Sequence, residues 1–288
     1  MKFTQEQIDF AAMQIGRIDG GERGIFLDTV NTESQIEARV FEDGAMAGVF
    51  YSCHMYGGLR MHISFETDTD QFNEELTSCV QSALRHSGMV SGQIWIRNGN
   101  RKIIDFLKKR LHVISEGAHD YASMEFIMRR GRLGQRVEQS VLGIRPYEQE
   151  RIDEYLGMLD GSMTFVDPAP NFLGNKSYFL RFFEERAQAN SFEAIWKSDR
   201  LVGLYWRKNA EIDLLAVDKE HQRKGHGSIL LTRAIDMVFQ NTDAPFAYLY
   251  AVDWNERGQS FYRSYGMEQS GHSYLLKINN DLREGAQP

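Results

Sequence analysis

Leu214-Leu215-Ala216-Val217-Asp218-Lys219-Glu220-His221-Gln222-Arg223-Lys224-Gly225-His226-Gly227-Ser228-Ile229-Leu230-Leu231 joins an apolar strand, a basic turn spaced by glycines and the start of an amphipathic helix. Without Cβ atoms at Gly225 and Gly227 the backbone can come close to an anion. A helix opening near Ser228 aims unpaired N–H groups and the positive end of its dipole at the same point. The stretch is therefore expected to cradle a phosphate. A dinucleotide fingerprint would need a third glycine where Leu230 stands, and a Walker loop needs four residues between its glycines and then Gly-Lys-Ser/Thr. Neither condition is met.

Downstream, Phe246-Ala247-Tyr248-Leu249-Tyr250-Ala251-Val252 reads as a buried strand, followed by Asn255, Gly258, Phe261-Tyr262 and Tyr265-Gly266-Met267. The two segments, in this order and about thirty residues apart, resemble the GNAT-type N-acetyltransferase superfamily. Gln222, Gly225 and Gly227 match its acyl-CoA signature Gln/Arg-x-x-Gly-x-Gly/Ala, with Val217 at the expected place upstream. The second segment is similar to Asn-x-x-Ala-x-x-Leu-Tyr-x-x-x-Gly-Phe, with changes at Gly258, Phe261 and Met267. Lys219 stands where the family often has proline, and His226 where a small aliphatic residue is usual. The resemblance spans roughly residues 142–278. It implies an α/β (α+β) acyl-CoA N-acyltransferase fold, a mixed and mostly antiparallel sheet flanked by helices.

Composition limits the alternatives. A chain of 288 residues is long enough for about two domains, and its hydrophobic content of 42% and charged content of 25% are ordinary for globular proteins. The start, Met1-Lys2-Phe3-Thr4-Gln5-Glu6, lacks the apolar stretch of a secretory signal, and no apolar run approaches the ~18 residues of a spanning helix. A cytoplasmic protein with no membrane association is expected. Cys53 and Cys79 are the only cysteines, read as buried thiols rather than as a disulfide or a metal pair. The formal net charge of −7 argues against a nucleic-acid surface, while the local cluster Gln222-Arg223-Lys224 suits a polyanionic cofactor.

A boundary falls near residues 131 to 142, where Arg129-Arg130-Gly131-Arg132-Leu133-Gly134-Gln135-Arg136 is basic and turn-prone and Leu142-Gly143-Ile144-Arg145-Pro146-Tyr147 opens a new strand. Residues 1–131 and 142–288 are thus expected as two domains. The second reads as helices over 148–159 and 177–189, strands over 192–197, 201–207 and 211–217, the cradle helix, the strand ending at Val252, the Tyr262 helix and a last strand near 274–278. The first half reads as a worn copy of the same unit. Subtracting 155 from the second motif lands on Ile94-Trp95-Ile96, Asn100 and a helix through Phe106-Leu107 to Arg110. Leu107 then takes the tyrosine position and Asp70 the place of Gly225, and Asp70 is expected to cap a helix through Cys79 to Leu84. A tandem arrangement with a degenerate first copy, lacking the cradle and shaping the acceptor cleft, follows from this register.

What the resemblance implies chemically is direct transfer of an acetyl group from acetyl-CoA to a primary amine of a small molecule or peptide. No metal is expected, since His221 and His226 have no third ligand at workable spacing. Removing the proton from an ammonium of pKa about 10.4 at neutral pH costs roughly 4.6 kcal/mol, so a base is useful. Glu211 and Asp213, two apart on the strand entering the cradle, share one face and are the candidates. Backbone N–H groups of Leu215, Ala216 and Val217 are expected to bond the carbonyl and pantetheine where neighbouring strands splay. Tyr262 is placed at the departing thiolate. Gln222, Arg223, Lys224, Gly225, His226, Gly227 and Ser228 complete the cofactor site, with Ser228 doubling as a helix N-cap and Asn255 on the pantetheine amides. The loop Thr164-Phe165-Val166-Asp167-Pro168-Ala169-Pro170-Asn171-Phe172 is read equally as acceptor contact or as a lid or interdomain packing. A binding module that holds acyl-CoA without transferring it is the alternative reading.

Overall fold

A computed structural model of the chain describes residues 2–55, 57–113, 121–132, 142–164 and 171–279. They form two compact units, Met1–Glu125 together with the chain from Gln269 onward, and Phe126–Glu268.

The first unit runs α1 (Gln5–Gly16), α2 (Gly20–Thr29), β1 (Gln35–Glu42), β2 (Met46–Met55), β3 (Gly58–Phe65), α3 (Asn73–Ser87), β4 (Ser91–Arg97), α4 (Arg101–Arg110) and the first part of β5 (Tyr121–Arg129). The second runs from the rest of β5 through β6 (Gly143–Arg145), α5 (Ile152–Ser162), α6 (Lys176–Gln188), β7 (Phe192–Lys197), β8 (Arg200–Lys208), β9 (Glu211–Val217), α7 (His226–Asn241), β10 (Phe246–Val252) and α8 (Glu256–Tyr265) to the start of β11 (Glu268–Asn279). The order helix, helix, three strands, helix, strand, helix, strand occurs twice, once from α1 to β5 and once from α5 to β11. These are two acyl-CoA N-acyltransferase folds in tandem.

Within the first unit the strand order is β1-β2-β3-β4-β11-β5, and within the second it is β5-β10-β9-β8-β7-β6. β11, the last strand of the second copy, therefore belongs to the first unit from Gln269 onward. β11 pairs antiparallel with β4 from Ser273 opposite Arg97 to Asn279 opposite Ser91. This departs from the division expected at residues 131–142, which left the last strand with the second domain. Strand pairing between segments so far apart is a tertiary choice, and the apolar alternation of β11 suits either sheet.

Amphipathic patterning covers the first unit's sheet on both faces. Ala11 and Ile15 of α1 and Phe26 of α2 pack with Val49, Tyr51 and Cys53 of β2, while Leu76, Val80 and Ala83 of α3 and Ile104 of α4 pack with Phe50, Met61, Ile63 and Ile94. Both cysteines are free and buried. In the second unit Tyr155, Leu156 and Leu159 of α5, Phe183 of α6 and the strand residues Phe192, Trp196 and Trp206 form one aromatic core. The expected side-chain cap by Asp70 is not made: α3 opens two residues later at Phe72 with no side-chain cap, and Asp70 contributes its backbone carbonyl to Asn73 N at 3.2 Å. An extra turn between Asp70 and the helix takes its carboxylate out of reach.

Candidate active site

The site is built where β9 ends. On one edge β9 pairs antiparallel with β8 from Glu211 opposite Lys208 to Val217 opposite Gly203, and Asp218 N donates to Val202 O at 2.9 Å. On the other edge it meets β10 in parallel at one position, Glu211 opposite Tyr248, where Tyr248 N also donates to Ala210 O at 3.0 Å. Beyond that point no further pairing between the two strands is present among the described residues. Hydrogen bonding alternates along a strand. With Asp218 N directed at β8, the amides of Ala216 and Leu214 face β8 too, and those of Leu215 and Val217 face the open edge. Of the three amides expected to contact a cofactor, that of Ala216 points away.

From β9 the chain makes a short 3-10 turn at Lys219–His221, where Asp218 Oδ2 accepts from Glu220 N at 3.1 Å and pairs with His221 Nδ1 at 2.8 Å. Arg223 and Gly225 then adopt left-handed backbone with φ of 59° and 83°. Such a φ is costly for any residue except glycine, so Gly225 sits where the turn demands it. Gly225, rather than Ser228, is the N-cap of α7, and no side chain caps the helix. Ser228 instead donates its backbone N–H to Gly225 O at 3.0 Å. The uncapped end opens beside a cleft of about 470 Å³ lined by Lys219, Glu220, Gln222, Arg223, Lys224 and Arg257, with Ser162 and Thr164 opposite. Four cations around a helix N-terminus are a site for a polyanion.

Gln222 acts as a brace. Its Nε2 donates to Val217 O at 3.1 Å and its Oε1 accepts from Arg257 Nη2 at 3.2 Å, fixing the end of β9 to the first turn of α8. His226 turns back to the loop, its Nδ1 donating to His221 O at 3.0 Å. α8 lies along α7: Phe261 comes within 3.4 Å of where a Cβ on Gly227 would stand, and Tyr265 Oη meets Thr232 Oγ1 at 2.7 Å. Asn255 caps α8, its Oδ1 accepting from Gly258 N at 3.0 Å, which leaves its Nδ2 as a donor. A Cβ on Gly258 would stand 2.5 Å from that Nδ2, a reason for glycine where the second motif has alanine.

Tyr262 is 9% exposed, set between Phe126 and Phe261, and burial pushes its hydroxyl up to about 12. That hydroxyl has no hydrogen-bond partner among the described residues. Both candidate bases have partners. Asp213 accepts from Trp206 Nε1 at 3.0 Å and faces Arg186 at 3.8 Å. Glu211, half-buried, stands at the point where β9 and β10 part.

Arg257 was not singled out from the sequence, although a cation in the first turn of the helix that follows Asn255 was a usable signal. Of the acceptor loop, residues 165–170 lie outside the described residues. Asn171 and Phe172 are described, and Phe172 N and Leu173 N donate to the two oxygens of Asp160 at 2.7 and 3.1 Å.

The architecture is an acyl-CoA N-acyltransferase fold. The acetyltransferase (GNAT) family profile matches residues 166–267. Solved structures of the same fold cover nearly the whole chain. A GCN5-related N-acetyltransferase from Sphaerobacter thermophilus is 13% identical over 90% of this chain and 85% of its own, with a TM-score of 0.51. A Drosophila protein is 11% identical over 98% of this chain and 99% of its own, at 0.52. A conserved protein of unknown function from Staphylococcus epidermidis is 15% identical over 88% of this chain and 97% of its own, at 0.51. At these identities the likeness is one of fold. No curated protein matches the sequence.

Proposed function

We propose that the second unit is an N-acetyltransferase domain that moves an acetyl group from acetyl-CoA to a primary amine of a small molecule or peptide, and that the first unit is a copy without the CoA cradle. The observation that carries the reading is the coincidence of β9's open edge with the uncapped, basic start of α7. One offers amides to a thioester carbonyl and pantetheine, and the other offers amides and cations to a pyrophosphate.

Bound acetyl-CoA supplies the thioester. The residues that fit it are Leu215 and Val217 through their amides, Gln222, Arg223, Lys224, Gly225, Gly227 and Arg257 around the cleft, and Asn255 through Nδ2. Glu211 takes the proton from the acceptor ammonium, directly or through water, and the free amine attacks the acetyl carbon. As the N–C bond forms and the C–S bond breaks, the amide of Leu215 or Val217 donates to the carbonyl oxygen. Tyr262 serves the sulfur as a hydrogen-bond donor. With its hydroxyl pushed up to about 12 against a thiol of about 8.5, Tyr262 keeps its proton, so the thiolate leaves hydrogen-bonded to it and takes up, through water, the second proton that the amine nitrogen sheds as the amide forms. Two buried, unpaired thiols support action in a reducing cytoplasm. Among the described residues no helix is long and apolar enough to cross a membrane, and no group of three His, Cys, Asp or Glu could hold a metal.

Isothermal titration of the whole chain with acetyl-CoA tests the reading. One site per chain is expected, with binding weakened at least a hundredfold by Gly225→Glu, which puts a bulky anion at a left-handed position in the cradle. No binding to the native chain would overturn the assignment, and binding with no turnover against a panel of amines would leave an acyl-CoA sensor.

A further inference from the structure

The first unit has a cleft of its own, about 770 Å³, lined by Arg17, Glu66, Thr67, Arg97 and the Gln269–His272 segment. It occupies the same place in the repeat as the cleft of the second unit: after the first helix, after the third strand and at the end of the fourth. The contents differ, because no glycine turn is present and two arginines from separate elements stand there instead.

Those arginines are short of acceptors. Arg97 donates through Nη1 to Phe65 O at 2.7 Å and Glu66 O at 3.0 Å, while its Nε and Nη2 have no acceptor among the described residues. Burial and the nearby Arg17 charge hold the Arg97 guanidinium below its ordinary value. Arg17 reaches Gln14 Oε1 at 3.3 Å and has Glu66 at 3.8 Å, a carboxylate shared with Gln14 Nε2. The wall that carries Arg17 is held rigidly. Gly20 N donates to both oxygens of the buried Glu125 at 3.0 Å, His272 N donates to Arg17 O at 3.4 Å, and Gly271 lies so close that a Cβ there would stand 2.5 Å from Ile18 O. A turn pinned from two strands, presenting one guanidinium toward a cleft that holds another, is a preformed anion site.

We infer that the first unit binds a small anion bearing a carboxylate or phosphate, with its oxyanion group between Arg17 and Arg97. The inference does not rest on the acetyltransferase reading, and either can fail alone.

The test titrates the whole chain carrying Gly225→Glu, which removes the second unit's cradle, with inorganic phosphate and separately with succinate. One saturable site per chain is expected for at least one anion, weakened about tenfold or more when Arg17→Gln is added. Arg17 is partly exposed and bonds only to neighbouring side chains through its guanidinium, so this variant should keep its melting temperature. Arg97→Gln should weaken binding as well, and its circular dichroism reports separately on the two carbonyls it leaves unpaired. Phosphate alone or succinate alone binding identifies the source of the oxyanion. Binding of neither anion, or binding indifferent to Arg17→Gln in a folded chain, would overturn the inference.

Discussion

In the first unit β3 and β4 run parallel through five paired positions, from Leu59 opposite Gly92 to Ile63 opposite Ile96. In the second unit their counterparts β9 and β10 pair at one. The residue before the following helix makes the contrast sharper. Asn100 and Asn255 both stand at N-caps with almost the same backbone, φ −89° and ψ 61° against φ −86° and ψ 57°. Asn100 reaches back to the end of β3, accepting from Phe65 N at 3.0 Å and donating to Phe65 O at 3.3 Å. Asn255 caps its own helix. One copy closes the end of its third strand with its own side chain, and the other leaves that end open. The proposed cofactor site is an edge where hydrogen bonds that a plain scaffold would form are withheld.

The comparison can be broken in four places. Tyr262→Phe removes the only polar atom of a buried ring, so acetyl-CoA affinity should stay within twofold while kcat falls about a hundredfold, the lower range for such a donor. Steady-state rates and titration read the two separately, and unchanged turnover would remove Tyr262 from the mechanism. Asn100→Ala should destabilise the first unit by about 2 kcal/mol, because it strands the buried Phe65 N–H, without creating a second acetyl-CoA site. A denaturant melt and a stoichiometry check these, and two sites per chain would show that Asn100 alone closed the first copy.

Third, Glu211→Gln should lower kcat/KM about tenfold near neutral pH, with the loss shrinking as the amine deprotonates at higher pH, whereas Asp213→Asn should change it by less than about threefold. A reversed order in the pH–rate profiles would put the base at Asp213 despite its bonds to Trp206 and Arg186. The smallest effect concerns Asp19, an acid buried beneath the first unit's helix pair. Burial, then the nearby Glu22 charge, push its carboxyl well above the usual range, although Glu22 N donates to it at 2.7 Å. A raised folded pKa means that its contribution to stability is fully present below the unfolded carboxylate value and is lost as pH rises through the folded one. Asn keeps the cap and carries no charge, so Asp19→Asn should flatten the fall in melting temperature across that window and be neutral or slightly stabilising at pH 7. A steeper fall would show that the ionised form is the one the fold prefers.

Much of the second unit could be read in advance. The strands at 192–197, 211–217 and 246–252 lie where apolar patterning put them, because each is short, continuous and bounded by turn residues. The cradle helix and the Tyr262 helix also follow their motifs. What could not be read were relations across distance: the pairing of β11 with β4, the brace from Val217 through Gln222 to Arg257, and the engagement of Asp213 by a tryptophan and an arginine from other elements. Each depends on which surfaces meet, and local pattern is silent on that.

The chain's own residues settle the chemistry on offer. Gly225 permits a left-handed turn, the cations around it attract an anion, and Tyr262 places a phenol on a helix face. Those properties belong to single residues and their neighbours, and they survive in any correct fold. Tertiary structure alone decides that β9 parts from β10 after one pair while β3 stays bound to β4. Hydrogen-bonding capacity is the same in every backbone, so only the packing of strands and the reach of one asparagine determine where it is left unused.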